Sequence, residues 1–190
     1  MKTKFLTEKE FKKYGINKFG SNCSISNDLR IYGNDCVIGS NVRIDDNVIL
    51  KGKIRLKNNV HLARGVTISA GKGGVFIDDF VSLSNFVQIF GKSDDYFKPF
   101  ISGGTLDYEK RKKYSFIHDG KVVIGKCVLI GSFAIILPRT EIQDFSSIAA
   151  YSVVMKKVKK GVFFNGNNLT YKKRNITEMN KNLKELKKIL

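Results

Sequence analysis

Apolar residues recur every six positions along most of this chain. Ile38, Ile44, Leu50, Leu56, Leu62 and Ile68 form one series, and Val42, Val48, Ile54, Val60 and Val66 stand four residues after its first five members. The series resumes at Ile77, Leu83 and Ile89, with Val81 and Val87, and again from Ile124 through Ile130, Ile136, Ile142 and Ile148 to Val154. A fainter start lies at Phe19, Ile25 and Ile31, with Cys23 and Leu29. A helix cannot use this pattern, because at about 100° per residue a step of six turns the next apolar residue by about 240° and scatters the set. Strands can, since alternation puts positions i, i+4 and i+6 on one face. The remaining same-face position, i+2, holds Ser40, Asp46, Gly52, Asn58 and Arg64, then Lys126, Ser132, Pro138, Asp144, Ala150 and Lys156. A small, polar or turn-forming residue at that interval marks a short strand followed by a corner. Such strands bury their apolar rows only by stacking in coils. The expected fold class is all-β, a parallel β-helix.

The repeat is interrupted twice. Ile68 to Ile77 spans nine residues, so three extra residues around Gly71, Gly73 and Gly74 form a bulge. Residues 91–120 leave the repeat and carry Asp94, Asp95, Tyr96, Gly103-Gly104 and the basic run Lys110–Lys113. A long structureless excursion of this kind reads as a functional loop that reaches a neighbouring subunit and closes over a substrate. Thr7 and Glu10 form a capping box for a short N-terminal helix that Gly15 can end. From Thr177 the tail reads as an amphipathic helix with Met179, Leu183, Leu186 and Leu190 on one side. Both helices are expected to cover open ends of the solenoid. The organisation is thus a helical cap over 1–18, a β-helix over 19–160 with an excursion loop at 91–120, and a tail with an amphipathic helix over 161–190.

Length and apolar content (190 residues, 42% hydrophobic) suit one domain with a continuous core and exclude a disordered chain. No apolar run approaches a membrane span, and Met1-Lys2-Thr3-Lys4 does not open a signal peptide. Cys23, Cys36 and Cys127 are few, odd in number and far apart, which points to reduced thiols, the cytoplasm, and neither a disulfide framework nor a metal site. The formal charge of +17 fits either compositional bias or attraction of a polyanion, including phosphate-bearing small molecules. No aromatic–basic nucleic-acid signature accompanies it.

Val123-Ile124-Gly125-Lys126, Ile130-Gly131-Ser132 and Leu137-Pro138 resemble the final coils of the hexapeptide-repeat acyltransferases, whose parallel β-helix is left-handed. Val42-Arg43-Ile44-Asp45-Asp46, Asn59-Val60-His61-Leu62-Ala63, Leu83-Ser84 and Ser93-Asp94-Asp95-Tyr96 are similar to a narrower subgroup. These are the nucleotide-sugar acyltransferases of surface-glycan biosynthesis, which include dTDP-amino-deoxysugar N-acyltransferases and galactoside O-acetyltransferase-like proteins. The resemblance spans roughly residues 5–175.

It implies a homotrimer with active sites between subunits, acyl-CoA (acetyl-CoA) as cosubstrate, a nucleotide-linked sugar as acceptor, and neither nucleic acid nor membrane insertion. The expected activity is N-acyl transfer to a dTDP-amino-deoxysugar for lipopolysaccharide or O-antigen synthesis. O-acetylation of a glycan sugar, or a non-catalytic scaffold, is the alternative. His61, at the last place of its hexad beside a corner, matches the subgroup's motif histidine and can act as a base. Asp94 stands where many sugar acetyltransferases of this fold carry a catalytic histidine. A carboxylate is a weak base for a hydroxyl but pairs well with an ammonium, so it tilts the acceptor toward an amino sugar.

Ser84 lies one coil and two residues beyond His61 once the bulge is discounted, and is expected to assist at the acceptor. Five hexads separate Asp94 from His61, so only adjacent subunits would readily bring them together. Arg43, Asp45, Asp95 and Tyr96 complete the acceptor candidates, with Asp95 also read as structural. Gly131, Ser132, Ala149 and Ala150 match the family's pantetheine-binding positions, and Lys156 with the following basic run could meet the phosphates. His118 reads as a loop residue. Two distant histidines cannot supply a three-ligand metal site. The family's terminal Gly-Asn-Pro-Ala-Lys is here Gly166-Asn167-Asn168-Leu169-Thr170, and its Ser-Gly-Glu after Asp-Asp-Tyr is Phe97-Lys98-Pro99.

Overall fold

Three columns of short strands, each stacked in register along one axis, make up nearly all of the computed structural model, which describes residues 4–33, 35–95, 104–166 and 170–189. The first face runs through Lys18–Phe19, Cys36–Ile38, Ile54–Leu56, Val75–Ile77, Val122–Ile124 and Glu141–Ile142. On the second lie Ser24–Ile25, Arg43–Ile44, His61–Leu62, Ser82–Leu83, Leu129–Ile130, Ser147–Ile148 and Val162–Asn165. Arg30–Tyr32, Ile49–Lys51, Thr67–Ser69, Gln88–Phe90, Ile135–Ile136 and Val153–Val154 form the third. Successive strands within a face pair in parallel, as in Arg43↔His61↔Ser82↔Leu129↔Ser147↔Phe163. The chain is therefore a β-solenoid of about seven turns.

The hexad explains the interior. Ile38, Ile44, Leu50, Leu56, Leu62 and Ile68 are all buried, as are Ile77, Leu83, Ile89, Ile124, Ile130, Ile136, Ile142, Ile148 and Val154. Each buried side chain of this size stabilises by about 1.5–3 kcal/mol relative to exposure, and stacking makes the row one continuous core.

After most strands of the first two faces a corner falls at the residue three past the apolar one. There the backbone is left-handed, with φ between 56° and 60° at Asn41, Asn47, Asn59, Phe80, Phe86, Cys127, Phe133, Phe145 and Tyr151. Asparagine tolerates this conformation. The later coils instead place aromatic rings there, at a cost of about 1–3 kcal/mol each.

The excursion is not structureless. Lys92–Asp94 pairs antiparallel with Ile117–Asp119, and Tyr108–Tyr114 is a helix whose Asp107 cap accepts from the Lys110 amide at 2.9 Å. Its missing repeat signature reflects an antiparallel ladder and a helix, neither of which has a six-residue period. The excursion leaves and re-enters at one point, because the Gly120 N–H donates to Gly91 O at 2.9 Å. The solenoid itself continues across the insertion, with Val75↔Val122 and Ile77↔Ile124 paired directly. Tyr96 and Gly103 lie outside the described residues, as does Leu190.

At the N-terminus Glu8–Phe11 is helical, and the Glu10 carboxylate accepts from the Thr7 amide and hydroxyl, both at 2.8 Å. Gly15 closes the following turn at φ 84°. At the other end the second face gains a seventh parallel strand at Val162–Asn165, and Thr170–Lys173 returns antiparallel to it. Helix Ile176–Leu186 does not cross the open end. It runs back along the corner between the first two faces, from Ile176 beside Gly161 to Lys187, whose Nζ lies 5.8 Å from the Phe80 ring centroid. No residue of that helix is buried, which suits a strip laid against one edge rather than a plug in the end.

Candidate active site

The second face and the corner after it gather most of the sequence candidates. His61 projects outward from its strand while its neighbour Leu62 fills the core. One coil earlier, Asp45 follows Ile44 into the corner, and the His61 Nε2 lies 2.9 Å from Asp45 Oδ2. The other carboxylate oxygen accepts from Arg43 Nε at 2.8 Å. Burial works against the Asp45 charge, but the hydrogen bonds and charges of Arg43 and His61 outweigh it and hold the carboxyl below its usual range. An ionised carboxylate only accepts, so Nε2 carries the ring proton of neutral His61 and the lone pair resides on Nδ1. The His61 side chain as a whole is 40% exposed.

Ser82 is the residue in register with His61, so Ser84 sits two places further into the corner, one coil on. Its amide donates to Ile130 O at 2.9 Å, leaving the side chain at a half-buried edge. Gly131 and Ala149 continue the same column, with Gly131 N–H donating to Ile148 O and Ala149 N–H to Phe164 O, both at 2.9 Å. A side chain at Gly131 would come within 2.5 Å of the Ala150 nitrogen, so the coils here pack backbone against backbone. Ser132 is half-buried and Ala150 exposed, and the Tyr151 N–H donates to Ser132 O at 2.9 Å. Lys156 is exposed just past the last strand of the third face.

Along this corner Phe86, Phe133 and Tyr151 stack ring on ring, with centroids 5.1 Å apart at both steps. They are 39%, 44% and 63% exposed, and Leu129, Val153 and Met155 add further exposed apolar surface nearby. At this corner the rings form an apolar rail beside the small-residue column, whereas the left-handed Phe80 and Phe145 lie at the corner before the second face.

Asp94 is elsewhere, on the excursion off the third face, exposed and in register with Ile117. Its carboxylate has no ion pair among the described residues. Asp95 turns the other way: its side chain is 5% exposed and its Oδ2 lies 2.7 Å from His118 Nε2. That makes His118 a fixed member of the excursion ladder, packed edge-on against Phe116, rather than an incidental loop residue. Nothing in its sequence context signals this, because the pairing depends on the antiparallel ladder. The structure thus brings His61, Asp45, Arg43, Ser84, Gly131, Ser132, Ala149 and Ala150 to one edge of the solenoid and sets Asp94 and Asp95 apart. Among the described residues no three His, Cys, Asp or Glu side chains gather as metal donors.

The chain is 36% identical over 154 residues to the dTDP-4-amino-4,6-dideoxy-D-glucose acyltransferase of Escherichia coli, covering 79% of this chain and 78% of that protein. It belongs to that acyltransferase family. AntD, an N-acyltransferase from Bacillus cereus, superimposes with a TM-score of 0.90 at 28% identity over 99% of both chains, in a complex with dTDP and 3-hydroxybutyryl-CoA. An AntD variant solved with dTDP-4-amino-4,6-dideoxyglucose and coenzyme A gives a TM-score of 0.85 over 97% of this chain and 99% of that one. The acetyltransferase domain of PglB from Neisseria gonorrhoeae shares the fold at 15% identity, with a TM-score of 0.53 over 80% of this chain and 57% of that one. No family model matches the sequence. The enzyme is thus an acyltransferase on a β-solenoid frame.

Proposed function

We propose that this enzyme transfers an acyl group from acyl-CoA to the amine of a dTDP-linked 4-amino-4,6-dideoxyhexose. The observation that carries the choice of acceptor is Asp94, an exposed carboxylate with no ion pair among the described residues, standing on a braced ladder. Such a group attracts and orients a sugar ammonium, whereas it has little to offer a hydroxyl. The relatives that act on or bind this same nucleotide amino sugar support the reading.

In the proposed reaction the bound ammonium first gives one proton to solvent, and the resulting neutral amine nitrogen attacks the thioester carbonyl and forms a C–N bond. The tetrahedral intermediate collapses with cleavage of the C–S bond and release of the coenzyme A thiolate. The proton lost from nitrogen passes to His61 Nδ1 or to the departing thiolate, giving an amide and free coenzyme A. Asp45 holds the imidazole in the tautomer that leaves Nδ1 open, and Arg43 keeps Asp45 ionised. Ser84 contacts the acceptor from the same edge. The pantetheine arm lies along Gly131, Ser132, Ala149 and Ala150, with Lys156 toward the phosphates, and Asp95 and Tyr96 frame the sugar beside Asp94.

A homotrimer completes the site, with Asp94 of one subunit facing the His61 edge of its neighbour. The exposed rail of Phe86, Phe133 and Tyr151 supports an apolar interface at that edge. We assign the reaction to cytoplasmic synthesis of a lipopolysaccharide or O-antigen sugar, a compartment compatible with three unpaired cysteines. No helix among the described residues is long and apolar enough to cross a membrane.

The test is an assay of acetyl-CoA with dTDP-4-amino-4,6-dideoxyglucose against the analogue bearing a 4-hydroxyl. Amine turnover at least 100-fold above hydroxyl turnover is expected. Equal or greater turnover of the hydroxyl compound would overturn the acceptor assignment in favour of O-acylation.

A further inference from the structure

The excursion builds a cationic cleft of about 600 Å³ where it folds back over the third corner of the solenoid. Lys72 enters it from the three-residue bulge, Lys92 from the first ladder strand, and Arg111 and Lys112 from the short helix. Tyr108 and Phe116 give it aromatic walls. None of the four cations has an ion pair among the described residues. The acid in the lining, Asp119, has its carboxylate turned to the Lys72 backbone amide, at 2.9 and 3.2 Å. Arg111 Nε is buried without a hydrogen-bond partner, and among buried side-chain nitrogen and oxygen atoms of the described residues no other is left so.

The ladder register ties this cleft to the acceptor site. Lys92 faces Asp119 and Asp94 faces Ile117 across the two strands, so these four side chains share one face, while Ser93 and His118 take the other. Lys92, Ile117 and Asp119 line the cleft, which sets Asp94 two residues along its rim, on the same side. In a nucleotide sugar the diphosphate is joined directly to the anomeric carbon, and a C4 amine lies across the ring from it. A diphosphate at Lys92 therefore leaves the sugar to extend along the strand toward Asp94.

We infer that this cleft is a diphosphate site, with Lys72, Lys92, Arg111 and Lys112 as its charges and a nucleoside diphosphate as its ligand. The inference rests on the proposed acyl transfer, in which both the sugar nucleotide and coenzyme A carry that group.

The full-length enzyme separates the sources. Binding of dTDP, of coenzyme A and of inorganic pyrophosphate is measured by titration calorimetry and phosphorus NMR for the wild type, for Arg111→Gln, and for the surface double variant Lys72→Gln/Lys112→Gln. A double variant of equal charge change elsewhere, Lys9→Gln/Lys181→Gln, serves as the control. Both cleft variants are expected to weaken pyrophosphate by about tenfold or more, with the control unchanged. A matching loss for dTDP assigns the cleft to the acceptor, and a matching loss for coenzyme A assigns it to the donor. Unchanged pyrophosphate, dTDP and coenzyme A affinity in both cleft variants would overturn the inference, as would a wild type that binds no pyrophosphate. A wild type that binds pyrophosphate but neither dTDP nor coenzyme A would leave the cleft standing and sink the proposed reaction instead.

Discussion

His61 and Asp45, sixteen residues and one coil apart, meet at 2.9 Å on the outer edge of the second face, with Arg43 on the far oxygen of the same carboxylate. The pair fixes which imidazole nitrogen is available. Replacing Asp45 by Asn keeps the volume but removes the charge that sets the ring. A fall in kcat of about 10² is expected, with KM for the nucleotide sugar changed little. Wild-type kcat in Asp45→Asn would mean that His61 takes no proton.

The same carboxylate predicts a direction for acid stability. Its folded pKa lies below the ordinary value, so its contribution is fully present above roughly pH 4 and disappears as pH falls through the folded value. Urea midpoints measured at pH 7 and pH 3 should differ less in Asp45→Asn than in wild type. An identical pH dependence would show that the Arg43–Asp45–His61 cluster adds nothing to folding.

Asp94 is exposed, and its side chain closes no contact in the core. Asp94→Ala should therefore keep the wild-type melting temperature and coenzyme A affinity while kcat/KM for the amino sugar drops about 100-fold or more. If Asp94→Ala and His61→Ala both turn over at the wild-type rate, the proposed chemistry is wrong.

The aromatic rail carries a cost in the isolated chain, since Phe133 holds a φ of 60°. Asparagine suits that conformation better, and Phe133→Asn also removes the middle ring of the stack. Wild-type enzyme should sediment at three times its 21.4 kDa chain mass. The variant should shift toward monomer and lose activity without unfolding. Retention of the wild-type assembly in Phe133→Asn would remove the rail from the interface.

Burial pushes the Cys36 thiol up to about 12. In the folded enzyme at pH 8 it should resist iodoacetamide and become labelled only after denaturation, as peptide mass spectrometry would read directly. Rapid native labelling of Cys36 would contradict its placement inside the first coils.

The interior was almost fully legible from spacing, because a six-residue period has one physical solution and each residue of the series from Ile38 through Ile68 is buried where it predicts. His61 beside Asp45 was half legible: both stand out in the sequence, but the 2.9 Å contact depends on a coil length of eighteen residues. The excursion was the opaque part. Lys92–Asp94 and Ile117–Asp119 pair across more than twenty intervening residues, and nothing in either tripeptide marks the other as its partner. Arg111 likewise belongs to a basic run that sequence reading notices as charge, whereas its buried Nε appears only once the helix is laid on the bulge. The C-terminal helix was predicted, but its course was not, since amphipathicity tells which side packs and not against what.

The bond between Gly120 and Gly91 gives the insertion a single doorway into the frame. Whatever is threaded through it can be exchanged wholesale, because Val75–Ile77 already meets Val122–Ile124 without help from the intervening residues. A change of cassette would therefore replace the groups around Asp94 while leaving the coils that carry His61 and Asp45 as they are.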